Sequence, residues 1–273
     1  MPQTVKLLAP RLRVEERQLI AAFAERGHRA ALSDPAKISV SLEGAEPTSG
    51  LVIDRGIATP ERAILGALHA AGGATVVNRT ATTRLLADRL ALFRHLIIAG
   101  IPVPETIVCF GESATYDALA TVGYPAFILT AGVDPQVPDT VIVDADAGEA
   151  IVEHRTTLGP SGVTLVQRYI AGDTARIVVV GEAIITLETV IYADDGAVSY
   201  SPHHIATDAV LSNGRAVISR LGSGTYAIKI VESPDGPVVV GVANLVDFRT
   251  LTDAGIDIAG QIADFALSQR GTQ

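Results

Sequence analysis

The chain has 273 residues, a net charge of −9 and an isoelectric point near 5.1. Hydrophobic residues make up 48%, charged residues 19%, and mean hydropathy is +0.35. These values exclude a disordered chain and supply the core of one large domain or two to three small ones. With no basic stripe, 4% aromatics and no Trp, the chain lacks the phosphate-neutralising surface and the stacking platforms that nucleic-acid binding requires.

Residues 5–9 read as a buried strand. Leu19, Ile20, Phe23 and Ala24 then fall at helical spacing over 15–27, with Gly27 as the stop. A second strand follows over 28–32. Leu51-Val52-Ile53 is a strand ending in Asp54-Arg55, Pro60 opens a helix to about residue 71, and 74–77 is the next strand. This alternation predicts a parallel, Rossmann-like layer. A long amphipathic helix is predicted over 82–99, closed by Gly100, with Pro102 and Pro104 stiffening the exit.

Beyond residue 105 the pattern becomes an antiparallel α+β body. Strands are predicted over 106–110, 126–130, 141–143, 163–170, 176–180, 184–191, 226–231 and 238–242. Helices are predicted over 114–122, 145–155, 207–221 and 253–267, and Asp194-Asp195-Gly196 is a hairpin turn. Cys109 is the only cysteine, which excludes an intramolecular disulfide and a paired-cysteine metal site. No signal peptide and no run of about 18 apolar residues is present, so the expectation is a soluble cytoplasmic protein without a membrane partner.

The strongest local signals run in order: Leu51-Val52-Ile53-Asp54-Arg55, Thr75-Val76-Val77-Asn78, Asp88-Arg89, and Ala99-Gly100-Ile101-Pro102-Val103-Pro104-Glu105-Thr106. They continue as Gly123-Tyr124-Pro125, Val166-Gln167-Arg168-Tyr169-Ile170, Arg176-Ile177-Val178-Val179-Val180-Gly181, and Asn244 followed by Asp247-Phe248-Arg249 and Gly255-Ile256-Asp257-Ile258-Ala259. Over about residues 50–268 this series resembles the RimK/LysX-type branch of the ATP-grasp ligases. The resemblance implies an ATP-grasp fold in three parts: a Rossmann-like part over 1–80, a small nucleotide-covering part over 81–160 and an antiparallel part over 161–273. It also implies ATP, bound between two α+β parts, and Mg²⁺, with the γ-phosphate passed to a carboxylate and an amine attacking the acyl-phosphate. That chemistry rests on cations around the triphosphate and carboxylates around the metal.

Against that pattern several positions differ. The family lysine after Asp88 is Arg89, a planar fork instead of a point charge. A second family lysine falls on Leu129. The glycine-rich flap is Thr130-Ala131-Gly132-Val133-Asp134-Pro135-Gln136-Val137, and the acid of the hinge motif is Arg168. The family's metal-binding aspartate aligns with Lys229, and its glutamate with Val242 or Gly241, leaving Asn244. By the resemblance, Arg176 is the candidate catalytic residue, and Arg89, Gln167, Arg168, Tyr169, Lys229 and Asn244 are the candidate cofactor-binding residues. Magnesium held in the family manner is not expected.

Plainer readings accompany these. Asp88-Arg89 reads equally as a surface ion pair, Gly100 to Pro104 as a rigid turn, Gln167-Arg168-Tyr169 as an ordinary strand, and Cys109 as a small buried apolar side chain. Arg176, Arg220 and Arg249 read as pocket-lining or as solvated, and the adjacent His203-His204 point to opposite faces of a strand. Two functions compete. One is a degenerate ATP-grasp protein that binds a nucleotide, a small anionic ligand or a partner without ligation. The other is an active ligase adding an amino acid such as glutamate to a small-molecule, pterin-type or protein acceptor. A homo-oligomer is compatible with both.

Overall fold

The computed structural model describes residues 4–40, 50–134, 137, 139–158, 163–193 and 198–269. The chain begins β1 (Thr4–Leu8), α1 (Val14–Glu25), β2 (Arg29–Ser33), β3 (Leu51–Asp54), α2 (Pro60–Ala71) and β4 (Thr75–Val77). The four strands form a parallel sheet in the order β2-β1-β3-β4. β3 is buried at every position, as a parallel strand covered on both faces must be. α2 starts where Thr59 accepts a hydrogen bond from Arg62 N and Pro60 supplies a preset φ.

The helix expected over 82–99 is two helices, α3 (Thr80–Ala87) and α4 (Arg89–Ile98). Asp88 leaves helical geometry (φ −121°, ψ 100°) and its carboxylate accepts from Ala91 N at 2.9 Å, capping α4. The break is also held from outside, by Val133 N donating to Ala87 O at 2.9 Å and Arg89 N to Ala131 O at 2.7 Å.

Next come β5 (Thr106–Cys109), α5 (Glu112–Val122), β6 (Ala126–Thr130), β7 (Thr140–Ile142), α6 (Ala145–Leu158) and β8 (Thr164–Arg168). They form an antiparallel sheet in the order β5-β8-β6-β7. Ala126, Ile128 and Val166 pack with Leu119 and Val122 of α5 and with Val152 of α6; Cys109 is buried in the same cluster.

The third sheet holds β9 (Asp173–Gly181), β10 (Ala183–Tyr192), β11 (Val198–Pro202), β12 (Gly224–Ser233) and β13 (Gly236–Ala243), with α7 (Asp208–Leu221) between β11 and β12. Its order is β11-β10-β9-β12-β13, all antiparallel. β9 is buried along seven consecutive residues because both faces are covered. Ala175, Ile177 and Val179 pack with Val210 and Val217 of α7, whereas Val178 and Val180 join a core with Leu7, Phe23 and Ile53 of the first layer. The turn into β9 needs glycine: Gly172 has φ +150°, and a Cβ there would collide with the Glu232 carbonyl oxygen. The final expected helix also divides, into α8 (Arg249–Asp253) and α9 (Ile258–Ser268), with Asp257 capping α9 by accepting from Gly260 N at 2.7 Å. The turn expected at Asp194 to Gly196, and Pro135 and Gln136 of the flap, lie outside the described residues. Among the described residues no helix is long and apolar enough to cross a membrane.

Two asparagines fasten the first layer to the third sheet. Asn78, after β4, accepts from Thr225 N at 2.6 Å and donates to Thr225 O at 2.8 Å. Asn244, after β13, donates to Gly56 O at 2.8 Å and accepts from Ala58 N at 2.7 Å. Both side chains are buried, so each carboxamide supplies backbone groups that have no solvent to turn to. Asn78→Ala is expected to lower the unfolding free energy by about 2–4 kcal/mol, since it leaves a buried N–H and C=O unpaired. Urea denaturation measures this, and a change below about 1 kcal/mol contradicts the account.

Candidate functional site

The site lies on the face of the third sheet that packs toward the first layer. Glu188 on β10, Arg176 on β9 and Lys229 on β12 are direct cross-strand partners, so their side chains form one row on one face. Arg176 is 2% exposed. Its Nη2 donates to Asp247 O at 2.7 Å and its guanidinium lies 4.0 Å over the Tyr200 ring. Nη1 sits 3.3 Å from Glu188 Oε2, but both atoms lack a well-aligned hydrogen bond, so the contact is an ion pair held by charge alone. Glu188 is fully buried, and burial pushes its pKa up although the Arg176 charge opposes this. Thr250 Oγ1 donates to its other oxygen at 3.2 Å.

Lys229 has no such counter-charge. Among the described residues its side chain makes neither a hydrogen bond nor an ion pair. Burial lowers its pKa, and the neighbouring Arg176 charge lowers it further while Asp139 works in the opposite direction.

A second buried charge cluster adjoins the row at the C-terminal ends of β1 and β3. Arg55 donates from Nε to Glu16 Oε1 at 3.3 Å and from Nη2 to Val246 O at 2.9 Å, and lies 5.3 Å from the Phe248 ring centroid. Arg13 holds the same carboxylate through Nε and Nη2, each at 3.0 Å. Burial disfavours the Glu16 carboxylate, yet Arg13 and Arg55 together hold its pKa below the ordinary range. Ligands of open α/β sheets bind outside the carboxyl ends of the strands, and this is where the first layer meets Asn244 to Phe248.

The sequence-derived candidates divide into three groups. Arg176 and Lys229 are together in the row. Asn244 is close by in the chain path, but both ends of its carboxamide are taken by Gly56 and Ala58. Arg89, Gln167, Arg168 and Tyr169 belong to the second sheet and its flanks. Arg89 donates to Thr130 O at 3.1 Å and pairs with Asp139 at 2.9 Å, the carboxylate whose charge also reaches Lys229. Gln167 is buried and donates to Thr106 Oγ1 at 3.0 Å. Arg168 pairs with Glu105 on the surface, and the Tyr169 ring stacks on Phe127 with centroids 5.7 Å apart. Leu129 is buried opposite Leu165, on the face of β6 away from α5 and α6. Val242 packs half-buried against the core that β12 shares with α7.

Glu188, Glu16 and Tyr200 were not singled out by the sequence. The one available signal was an acid inside the apolar run Ile184-Ile185-Thr186-Leu187-Glu188-Thr189-Val190-Ile191, which alternation alone reads as a solvent-facing position. His203 and His204 follow β11 instead of lying within a strand. His204 bonds Thr189 Oγ1 at 2.8 Å and Glu232 Oε1 at 2.7 Å, fixing the segment that enters α7.

Comparison with known proteins accords with this geometry. A family model described as the LysX preATP-grasp domain matches residues 5–85. A curated glutamate–LysW ligase ArgX from Sulfurisphaera tokodaii is 23% identical over 96% of this chain and 97% of its own length. The crystal structure of a D-alanine–D-alanine ligase from Bacillus anthracis complexed with ATP shares 13% identity over 100% of this chain and 99% of that one, with a TM-score of 0.76, a likeness of fold alone. The crystal structure of a RimK domain protein ATP-grasp from Sphaerobacter thermophilus superposes with a TM-score of 0.89 and is 51% identical, covering 96% of this chain and 98% of that one. Identity at that level across both chains, together with the three sheets and the ordered motifs between them, makes the protein a member of the RimK/LysX-type ATP-grasp family of carboxylate–amine ligases.

Proposed function

We propose that the protein keeps the ATP-grasp cleft as a binding site for a nucleotide or a related small anion and does not carry out magnesium-dependent ligation. The observation that carries this reading is the row Glu188, Arg176, Lys229: a lysine, without an ion-pair partner among the described residues, stands where the family resemblance calls for a metal-binding aspartate. Magnesium takes oxygen ligands in near-octahedral array. Lys229 and Val242 offer none, the Asn244 oxygen is engaged by Ala58 N, and the Glu188 carboxylate is spoken for by Arg176 and Thr250. Among the described residues these positions do not fit the ion. Leu129 likewise brings no charge to a phosphate. What the row does offer is positive potential in a sheltered place, which attracts an anion without a metal. The ATP held by the structurally similar D-alanine–D-alanine ligase supports a nucleotide as the first anion to test.

Calorimetry with ATP, with and without Mg²⁺, is expected to show binding that magnesium does not strengthen. No ADP should form above background when mixed amino acids and acceptor carboxylates are added. Leu129→Lys, Lys229→Asp and Val242→Glu together should make binding magnesium-enhanced. ADP formation by the unaltered protein, abolished by Arg89→Ala, would establish the ligase reading in its place.

A further inference from the structure

Two arginines from different helices are fastened to one strand. Arg89, at the start of α4, donates from Nη1 to Thr130 O and to Thr130 Oγ1, each at 3.1 Å. Arg155, on α6, donates from Nη2 to Ile128 O and to Thr140 Oγ1, each at 3.2 Å. Ile128 and Thr130 are both on β6, and Ile128 is paired with Thr140 of β7. Asp139 immediately precedes Thr140 and brings a carboxylate to the same place: Arg89 Nη2 lies 3.0 Å from its Oδ2 and 2.9 Å from its Oδ1.

The two partners are not held alike. The Arg89 side chain is 18% exposed, and its backbone N is bonded to Ala131 O at 2.7 Å. The Asp139 side chain is 44% exposed and stands at the start of β7, an edge strand of the second sheet. The cation is built in; the carboxylate is the part that can swing away into water. Its charge also reaches beyond its contact. Burial lowers the pKa of Arg155 and of Lys229, and the Asp139 charge opposes this at both. One carboxylate thus faces cations from α4, α6 and β12. A point on which cations from separate elements converge is where an external anion is drawn.

We propose that Asp139 is an internal competitor for the anion of the cleft: its carboxylate occupies Arg89 in the free protein and is displaced when a condensed phosphate chain binds. This deepens the anion-binding reading above and rests on it. A singly charged anion that takes the place of the carboxylate leaves the charge balance where it was. A diphosphate or triphosphate chain satisfies Arg89 and has charge left for Arg155 and Lys229. Asp139 therefore selects condensed phosphates over a lone carboxylate. Apparent affinity is reduced by the fraction of molecules in which Arg89 is already occupied, so removing the competitor raises it.

The test is calorimetric titration of the full chain, without magnesium, with inorganic tripolyphosphate, diphosphate, phosphate and acetate. Wild type should bind tripolyphosphate most tightly and acetate not at all. Asp139→Asn should bind tripolyphosphate about fivefold more tightly, the upper range for release of a largely exposed ion pair. Asp144→Asn removes the same charge nearby, from a side chain that accepts from Ala147 N at 2.9 Å in the first turn of α6, and should leave the affinity unchanged. In an Arg89→Met background, Asp139→Asn should bring no gain. Equal tripolyphosphate affinity in wild type and Asp139→Asn, an equal gain from Asp144→Asn, or acetate binding as tight as that of tripolyphosphate would overturn the competitor and leave the anion reading standing. Binding of none of these anions by either wild type or Asp139→Asn would overturn the anion reading and this inference with it.

Discussion

Glu16→Gln is expected to destabilise the protein by about 3–5 kcal/mol, because it removes one partner of a buried ion pair and leaves the other charged. Glu16 is 0% exposed and Arg55 3% exposed, and the remaining contacts of Arg55, Val246 O and the Phe248 ring, do not neutralise a charge. The pH dependence has a definite sign. The Glu16 pKa is lower in the folded chain than in the unfolded one. Its contribution is therefore complete above the ordinary carboxylate range and is lost as pH falls through the lowered folded value. The wild type should lose stability on acidification there, and the Glu16→Gln protein should show a flatter curve over the same interval. Urea midpoints measured at a series of pH values test both statements. Replacing Glu16 and Arg55 together by Leu and Met should recover most of the loss, since the buried guanidinium leaves with its partner and the Arg13 charge that remains reaches solvent. An equal loss in single and double variants would show that the cluster is packing and not charge.

Arg176→Met is expected to cost a similar amount, about 3–5 kcal/mol, but with the opposite response to acid. It leaves Glu188 fully buried with Thr250 as its remaining partner. Burial already raises the Glu188 pKa while Arg176 is present, and without the guanidinium it rises further. A carboxyl with a raised folded pKa favours folding below the unfolded value. Stability then declines as pH climbs from the unfolded value to the folded one and is level above it. Both proteins lose the Glu16 contribution on acidification, but the Glu188 term offsets it more in Arg176→Met, so the stability gap between variant and wild type should narrow as pH falls. The variant should also lose anion binding in calorimetry. A pH profile parallel to that of the wild type would mean that Glu188 does not depend on Arg176.

How much of this was legible in the sequence follows from the reach of each interaction. Asp54-Arg55 at a strand end, Asn78 directly after the Thr75–Val77 strand and the Gly100 to Pro104 turn are local patterns, and their order carried the fold. The break at Asp88 was hidden because the apolar spacing of Leu85, Leu86, Leu92 and Leu96 continues through it; the cap and the bonds from Ala131 and Val133 decide the geometry. Asp257 divides the last helix in the same way. Arg176 and Lys229 were found as separate motif positions, but that they are neighbours depends on the β9–β12 register, which no single strand encodes. Glu188 is a further step removed, since an acid at an alternating position reads as solvent-facing until β10 is laid beside β9. Asn244 drew attention as a ligand-side residue, and its engagement by Gly56 and Ala58, 188 and 186 residues away, is invisible to any spacing argument.

The two asparagine clasps give the protein a chemical ageing liability. A carboxamide both donates and accepts, whereas a carboxylate only accepts. Hydrolysis of the side-chain amide at Asn78 or Asn244, with no peptide bond cut, would turn a donor facing Thr225 O or Gly56 O into a negative oxygen. Each event unfastens one stitch between the first layer and the third sheet and buries a new charge in the seam. Stored protein should therefore lose cooperativity of unfolding in proportion to deamidation at these two positions.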